Sequence, residues 1–268
     1  MKFVRQRVLG RSLSGNAPVA LEGRRVFAIG DIHGCDDLLL ALLGALAAAA
    51  EGDPVPPVLV FLGDYIDRGP RSKEVVSLLV ELAGQDDSVR FLGGNHEEAM
   101  LGFLADVESG LAWINFGGRA TMRSYGVEAP DGEVSLEDWR RVQEAFKAAI
   151  PADHLRFFWQ LESRLEFGDY LFVHAGVNPD RPLSDQKQRD LRWIREPFLS
   201  DRRRLDKVIV HGHTPAAEPF ADRRRIGVDT WAYRSGVLTA AELSGGDVRF
   251  WQARHVEGEI MTGLFKGG

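Results

Sequence analysis

Five short, largely apolar runs in this chain stop abruptly, and each is followed within three residues by Asp, Asn or His. The first, residues 26–29, ends in Gly30-Asp31-Ile32-His33-Gly34. The second, 58–62, ends in Gly63-Asp64-Tyr65-Ile66-Asp67-Arg68-Gly69, and the third, 89–92, in Gly93-Gly94-Asn95-His96-Glu97. Runs at 170–173 and 207–210 end in His174-Ala175-Gly176 and His211-Gly212-His213-Thr214. Short runs that are apolar at consecutive positions and bounded by Gly read as strands buried on both faces. Residues 36–50 open on Asp36-Asp37, which suits a helix N-terminus, and 72–82 carry apolar residues at helical spacing. Strand, helix, strand, helix, strand predicts βαβ units, a parallel sheet and right-handed crossovers. Open α/β sheets bind ligands outside the carboxyl ends of their strands. The pattern therefore predicts five adjacent strand ends delivering Asp, His and Asn to one rim.

Residues 97–166 are helical and polar, with amphipathic helices at 136–150 and 154–165 on either side of Pro151. They read as an insertion beside the sheet. A strand near 226–228 follows, and a hairpin of 236–243 with 248–251 across Ser244-Gly245-Gly246 completes the pattern. No repeat or linker interrupts the chain, so one domain over 1–268 is expected.

Charge narrows the partners. The chain has 33 Lys and Arg against 39 Asp and Glu, a formal net charge of −6. Such a chain has no global attraction for nucleic acid or anionic lipid. The longest apolar run, 38–50, is shorter than the ~20 residues of a membrane-spanning helix and reads as a buried helix. Cys35 is the one cysteine, which excludes an intrachain disulfide and a thiolate zinc site. It is expected to pack at a helix start. A cytoplasmic protein without a membrane partner is the expectation.

The residue types at the strand ends suit a metal. Asp31 and His33 are two apart, so in an extended segment both side chains point the same way. Carboxylate, imidazole and amide oxygen together suit Mn, Fe or Zn better than Ca or Mg. His211 and His213 are also two apart, and spacing does not choose between them.

These segments resemble the phosphoprotein phosphatase branch of the calcineurin-like metallophosphoesterases. That family carries G-D-x-H-G, G-D-x-x-D-R-G and G-N-H-E, then two separated histidines, in this order. The resemblance implies an αββα sandwich with a helical insertion over the site. It implies two divalent transition-metal ions, manganese first, with iron or zinc as alternatives. Asp31, His33 and a shared Asp64 would hold one ion; Asp64, Asn95, His174 and His213 would hold the other, the G-H-T-P form of bacterial members selecting His213. His96 would be the general acid, paired with Asp67. Arg68 would bind the phosphoryl group, joined by Arg195 from Trp193-Ile194-Arg195-Glu196. Trp231 stands where the family's late D-T-G-A segment has a small residue, and its ring would narrow the pocket.

The implied activity is metal-dependent hydrolysis of phosphate monoesters by a metal-activated water. The substrate would be a phosphoprotein of the Ser/Thr phosphatase type or a small phosphate ester. The alternative is a dinucleoside polyphosphate hydrolase. Asp67 favours the first, because related dinucleotide hydrolases commonly lack that residue.

Overall fold

The computed structural model describes residues 18, 20, 23–84, 88–132 and 134–267. In chain order the principal elements begin with β1 (Val26–Ile29), α1 (Asp36–Ala49), β2 (Val58–Phe61), α2 (Ser72–Ala83) and β3 (Val89–Phe91). The helical stretch holds α3 (Asn95–Ala105), α4 (Val107–Gly110), a π-helical turn (Ile114–Gly118), α5 (Arg119–Ser124), α6 (Leu136–Ala149) and α7 (Ala152–Gln160). Then come β4 (Leu165–Phe167), β5 (Tyr170–Phe172), α8 (Gln188–Trp193), β6 (Val208–His211), β7 (Phe220–Ala221) and β8 (Arg225–Gly227). The last are α9 (Ala232–Ser235), β9 (Val237–Ser244), β10 (Asp247–Val256) and β11 (Glu259–Leu264).

Two mixed sheets form, not the one parallel sheet that the βαβ reading suggests. The first has the order β11-β10-β9-β1-β2-β3, the second β4-β5-β6-β8-β7. β1, β2 and β3 pair in parallel, whereas β9 closes on β1 antiparallel. In the second sheet β5, β6 and β8 are parallel. The alternation of side chains along β1 explains why its sequence is apolar throughout. Val26 and Ala28 face the second sheet and share a core with Phe172, Val210 and Ile226. Phe27 and Ile29 face the other way, against Leu39, Leu42 and Leu46 of α1. Burying each of these leucines contributes ~1.5–3 kcal/mol, and Leu42→Ala would cost ~2–5 kcal/mol. Leu171 and Ile209 line the outer face of the second sheet with Leu191 and Phe198. The layers are helix, sheet, sheet, helix. No described helix is long and apolar enough to cross a membrane.

Three expectations shift. The helix expected to run to Leu165 ends at Gln160, because Glu162 leaves it to join β3. Its backbone N–H donates to Phe91 O at 2.9 Å, and its carboxylate takes Arg90 at 2.6 and 2.8 Å. The terminal hairpin is longer than expected, with β10 reaching Val256, and β11 extends the sheet by one more strand. Several of the β10 and β11 side chains are exposed, so no buried apolar run marked them.

Candidate metal centre

Backbone turns position the site. Ile32 and His33 N–H both donate to Asp64 O, tying the loop after β1 to the loop after β2. Glu97, in the first turn of α3, accepts from Asp64 N at 3.0 Å, Tyr65 N at 2.8 Å and Gly94 N at 2.9 Å. One buried carboxylate thereby fixes the loops after β2 and β3 against each other. A side chain on Gly94 would collide with Asp64, and one on Gly212 with Asp31, so these close approaches require glycine.

Asp64 lies at the centre. Its Oδ2 is 3.7 Å from His33 Nε2 and 3.8 Å from His96 Nε2; its Oδ1 is 3.3 Å from His174 Nε2. Two metal-sized groups meet on it: His33, Asp64 and His96, and Asp64, His174 and His213. Asn95 Oδ1 is 3.0 Å from His174 Nε2, and both carboxylate oxygens of Asp31 accept from His213 N at 3.0 and 3.1 Å. All six expected ligands therefore gather in one place, contributed by both sheets, and all are buried.

The side chains fit cations. His33 Nδ1 donates to Ile66 O at 2.7 Å and His174 Nδ1 to Leu62 O at 2.8 Å, so each neutral ring presents its Nε2 lone pair inward. For His174 that lone pair would face two acceptor oxygens, on Asn95 and Asp64. Only a proton or a metal ion relieves such a contact. Burial works against a charge on His174, but Asp64, Asp31 and Glu97 together outweigh it and raise its pKa to about 10. Burial pushes His33 and His213 down to about 3, and His213 Nε2 is buried without a partner. Burial and the nearby Asp229 raise the Asp31 carboxyl well above the usual range. Neutral imidazoles, an orphan nitrogen and crowded acids are the donor set of a cation site.

His96 is placed differently. Its Nδ1 is 2.6 Å from Asp67 Oδ2, as the expected pair requires. Burial opposes the imidazolium, but Asp64 and Asp67 prevail and the pKa is raised. Asp67 is itself held: Trp113 Nε1 donates to Oδ2 at 2.8 Å and Thr121 Oγ1 to Oδ1 at 2.5 Å. Both donors come from the helical stretch, so it secures the acid pair as well as packing over the sheet. Arg119, in the same stretch, turns away to Asp131.

Arg68 Nη1 lies 3.4 Å from His33 Nε2 and 3.3 Å from the Tyr233 hydroxyl. Arg195 Nη2 donates to His213 O at 3.5 Å, at the other edge. His211 is the last residue of β6 and points elsewhere: its Nε2 meets Arg225 at 3.2 Å and its ring packs on Phe198. Trp231 donates its Nε1 to Tyr233 at 2.9 Å, so it supports the residue beside Arg68. Cys35 sits at the start of α1, and burial pushes its thiol up to about 12, so it is not a nucleophile. The residues that the sequence did not single out for the site are Glu97, Trp113, Thr121 and Tyr233. Glu97 stood inside a quoted motif and Tyr233 two residues beyond Trp231 in the late family segment; Trp113 and Thr121 lay in the helical insertion, which read as packing beside the sheet.

A helix–sheet–sheet–helix sandwich with acidic and imidazole ligands at the strand ends defines a metallophosphoesterase. The profile of the calcineurin-like phosphoesterases matches residues 24–239, and the chain belongs to that family of hydrolases. It is similar to bis(5'-nucleosyl)-tetraphosphatase PrpE [asymmetrical] of Anoxybacillus flavithermus, 30% identical over 79% of this chain and 87% of that one. It is also similar to serine/threonine-protein phosphatase 1 of Salmonella typhimurium, 29% identical over 82% and 92%. A solved structure described as a candidate diadenosine tetraphosphatase shares the fold, with a TM-score of 0.60 and 22% identity over 94% of this chain and all of that one.

Proposed function

We propose that this chain hydrolyses dinucleoside polyphosphates at a centre of two divalent transition-metal ions, manganese first among them. The observation that carries the reaction class is the central place of Asp64, which two candidate metal groups share, one through His33 and the other through His174 and His213. The substrate class is supported by the likeness to PrpE over most of both chains. The sequence-level preference for a protein phosphatase rested on Asp67 and gives way to that likeness.

Asp31, His33 and Asp64 would hold one ion, and Asp64, Asn95, His174 and His213 the other. Bound there, the ions supply positive charge to the phosphoryl group and an activated water to attack it. The chain's own side chains do the rest. Arg68 and Arg195 flank the centre and present guanidinium forks to the phosphoryl oxygens, stabilising charge in the transition state. His96 is the proton donor. Asp67 takes its Nδ1–H, which fixes the ring and leaves Nε2–H of the imidazolium for the leaving oxygen. A nucleotide leaving group is a phosphate oxygen and needs that proton less than an alkoxide does.

A second reading, hydrolysis of phosphomonoesters of the Ser/Thr phosphatase type, is favoured by the His96–Asp67 pair and by the Salmonella relative. Its substrate would be a phosphoprotein or a small phosphate ester. The test is the purified chain with added Mn²⁺, given diadenosine tetraphosphate and a phosphoserine peptide in parallel. The proposal expects the larger kcat/KM on the dinucleotide; a larger value on the peptide would replace it with the second reading.

A further inference from the structure

A cavity of about 560 Å³ lies beside the candidate metal centre. That volume is within the ~300–1,000 Å³ of small-molecule sites. Its wall includes Gly34, Pro70, Arg71, Tyr233, Arg234 and His255. Three of these segments continue directly from the site: Gly34 follows His33, Pro70 and Arg71 follow Arg68-Gly69, and the Tyr233 hydroxyl is 3.3 Å from Arg68. The cavity starts where the phosphoryl-binding residues stop.

Its charges are unevenly matched. Asp36 Oδ2 pairs with Arg71 Nε at 2.9 Å, and Asp37 Oδ2 with His255 Nε2 at 3.1 Å. Both carboxylates on the wall thus have a cationic partner, Asp36 through Oδ2 only, its Oδ1 being buried without one. Arg234 has no carboxylate within ion-pair distance among the described residues. Its guanidinium rests 4.6 Å from the centre of the Trp231 ring, and Trp231 Nε1 reaches the same Tyr233 hydroxyl that faces Arg68. The run Arg68, Tyr233, Trp231, Arg234 therefore joins the reacting centre to a free cation at the cavity wall.

Resting on the dinucleotide reading, we infer that the cavity receives the outlying phosphates and nucleoside of the substrate, with Arg234 as the cation that binds the phosphates. A guanidinium fork matches phosphate oxygens, and only a substrate longer than a monoester reaches it. Arg234 is then a specificity residue, and it does not touch the reacting phosphorus.

The test is steady-state kinetics of wild type, R234Q and R234E on diadenosine tetraphosphate and on 4-nitrophenyl phosphate. Arg234 is exposed, so neither change removes a buried contact. A charged hydrogen bond lost to solvent corresponds to a rise in KM of about tenfold. That rise is expected for the dinucleotide in R234Q, a larger one in R234E, with kcat within about twofold and the aryl ester unaffected. Equal KM values for the dinucleotide in all three proteins would overturn the inference, as would equal losses on both substrates. A wild type that cleaves the aryl ester and not the dinucleotide would instead overturn the substrate reading beneath it.

Discussion

Six of the seven non-glycine residues with positive φ among the described residues lie at or beside the proposed centre: His33, Asp64, Asp67, Arg68, His213 and Trp231. Left-handed backbone costs an ordinary residue ~1–2 kcal/mol, so such a cluster persists only where the surroundings enforce it. Here the enforcement is visible in Glu97, whose carboxylate gathers four backbone N–H groups from two loops. The strain turns Asp64 and His213 out of line with their strands and into the site. It also separates His211 from His213. An ideal strand would aim both the same way, but β6 ends at His211 and the next two residues turn. His96, in the first turn of α3, pairs with one of the positive-φ residues, Asp67, and carries the proton in the proposed mechanism. His96→Asn should therefore keep the metal content and lose ~10²–10⁴ in kcat on an alkyl phosphate. The loss should be smaller on 4-nitrophenyl phosphate or a dinucleotide, whose leaving groups need less proton. Rate measurements on an alkyl and an aryl ester check this, and equal losses on the two would remove the acid role.

At the scale of elements, the helical stretch does more than cover the sheet. Trp113 and Thr121 reach Asp67 from 46 and 54 residues away. Nothing local in the sequence records a partnership over that distance, which is why the motifs at the strand ends were legible and their supports were not. The strand ends themselves were legible because each is a short buried strand closed by glycine and a ligand type. The β11 strand was not, because its side chains are largely exposed and no apolar run marks it. The second sheet was legible through the family resemblance, which implies an αββα sandwich, and not through periodicity, which reports that a strand is buried on both faces and not what buries it. The supporting role of the helices is testable. Thr121→Val removes a donor to Asp67 while nearly keeping volume. It should lower kcat on an alkyl phosphate severalfold and leave the metal content unchanged. An unchanged kcat would mean that Asp67 needs no support from the helical stretch.

For the whole molecule, the two sheets face each other across one apolar core, and the site spans their ends. Asp31, Asp64 and Asn95 come from the first sheet, His174 and His213 from the second. A cation held between the sheets would couple stability to metal binding, since it would stabilise the folded state and not the unfolded one. His211 gives a separate handle on stability. Burial lowers its pKa to about 3 from 6.5. Between those values the unfolded chain binds the proton that the folded chain refuses, so stability falls as pH drops from 6.5 toward 3. His211→Asn should flatten that part of the acid limb in urea titrations of the metal-free chain; an acid limb of unchanged slope would contradict the assignment. The central claim is that two cations share the carboxylate of Asp64. Elemental analysis of the wild type and of Asp64→Asn, both purified with Mn²⁺, tests it most directly. The account predicts two metal equivalents in the wild type and loss from both positions in the variant. Two equivalents retained by Asp64→Asn would contradict it.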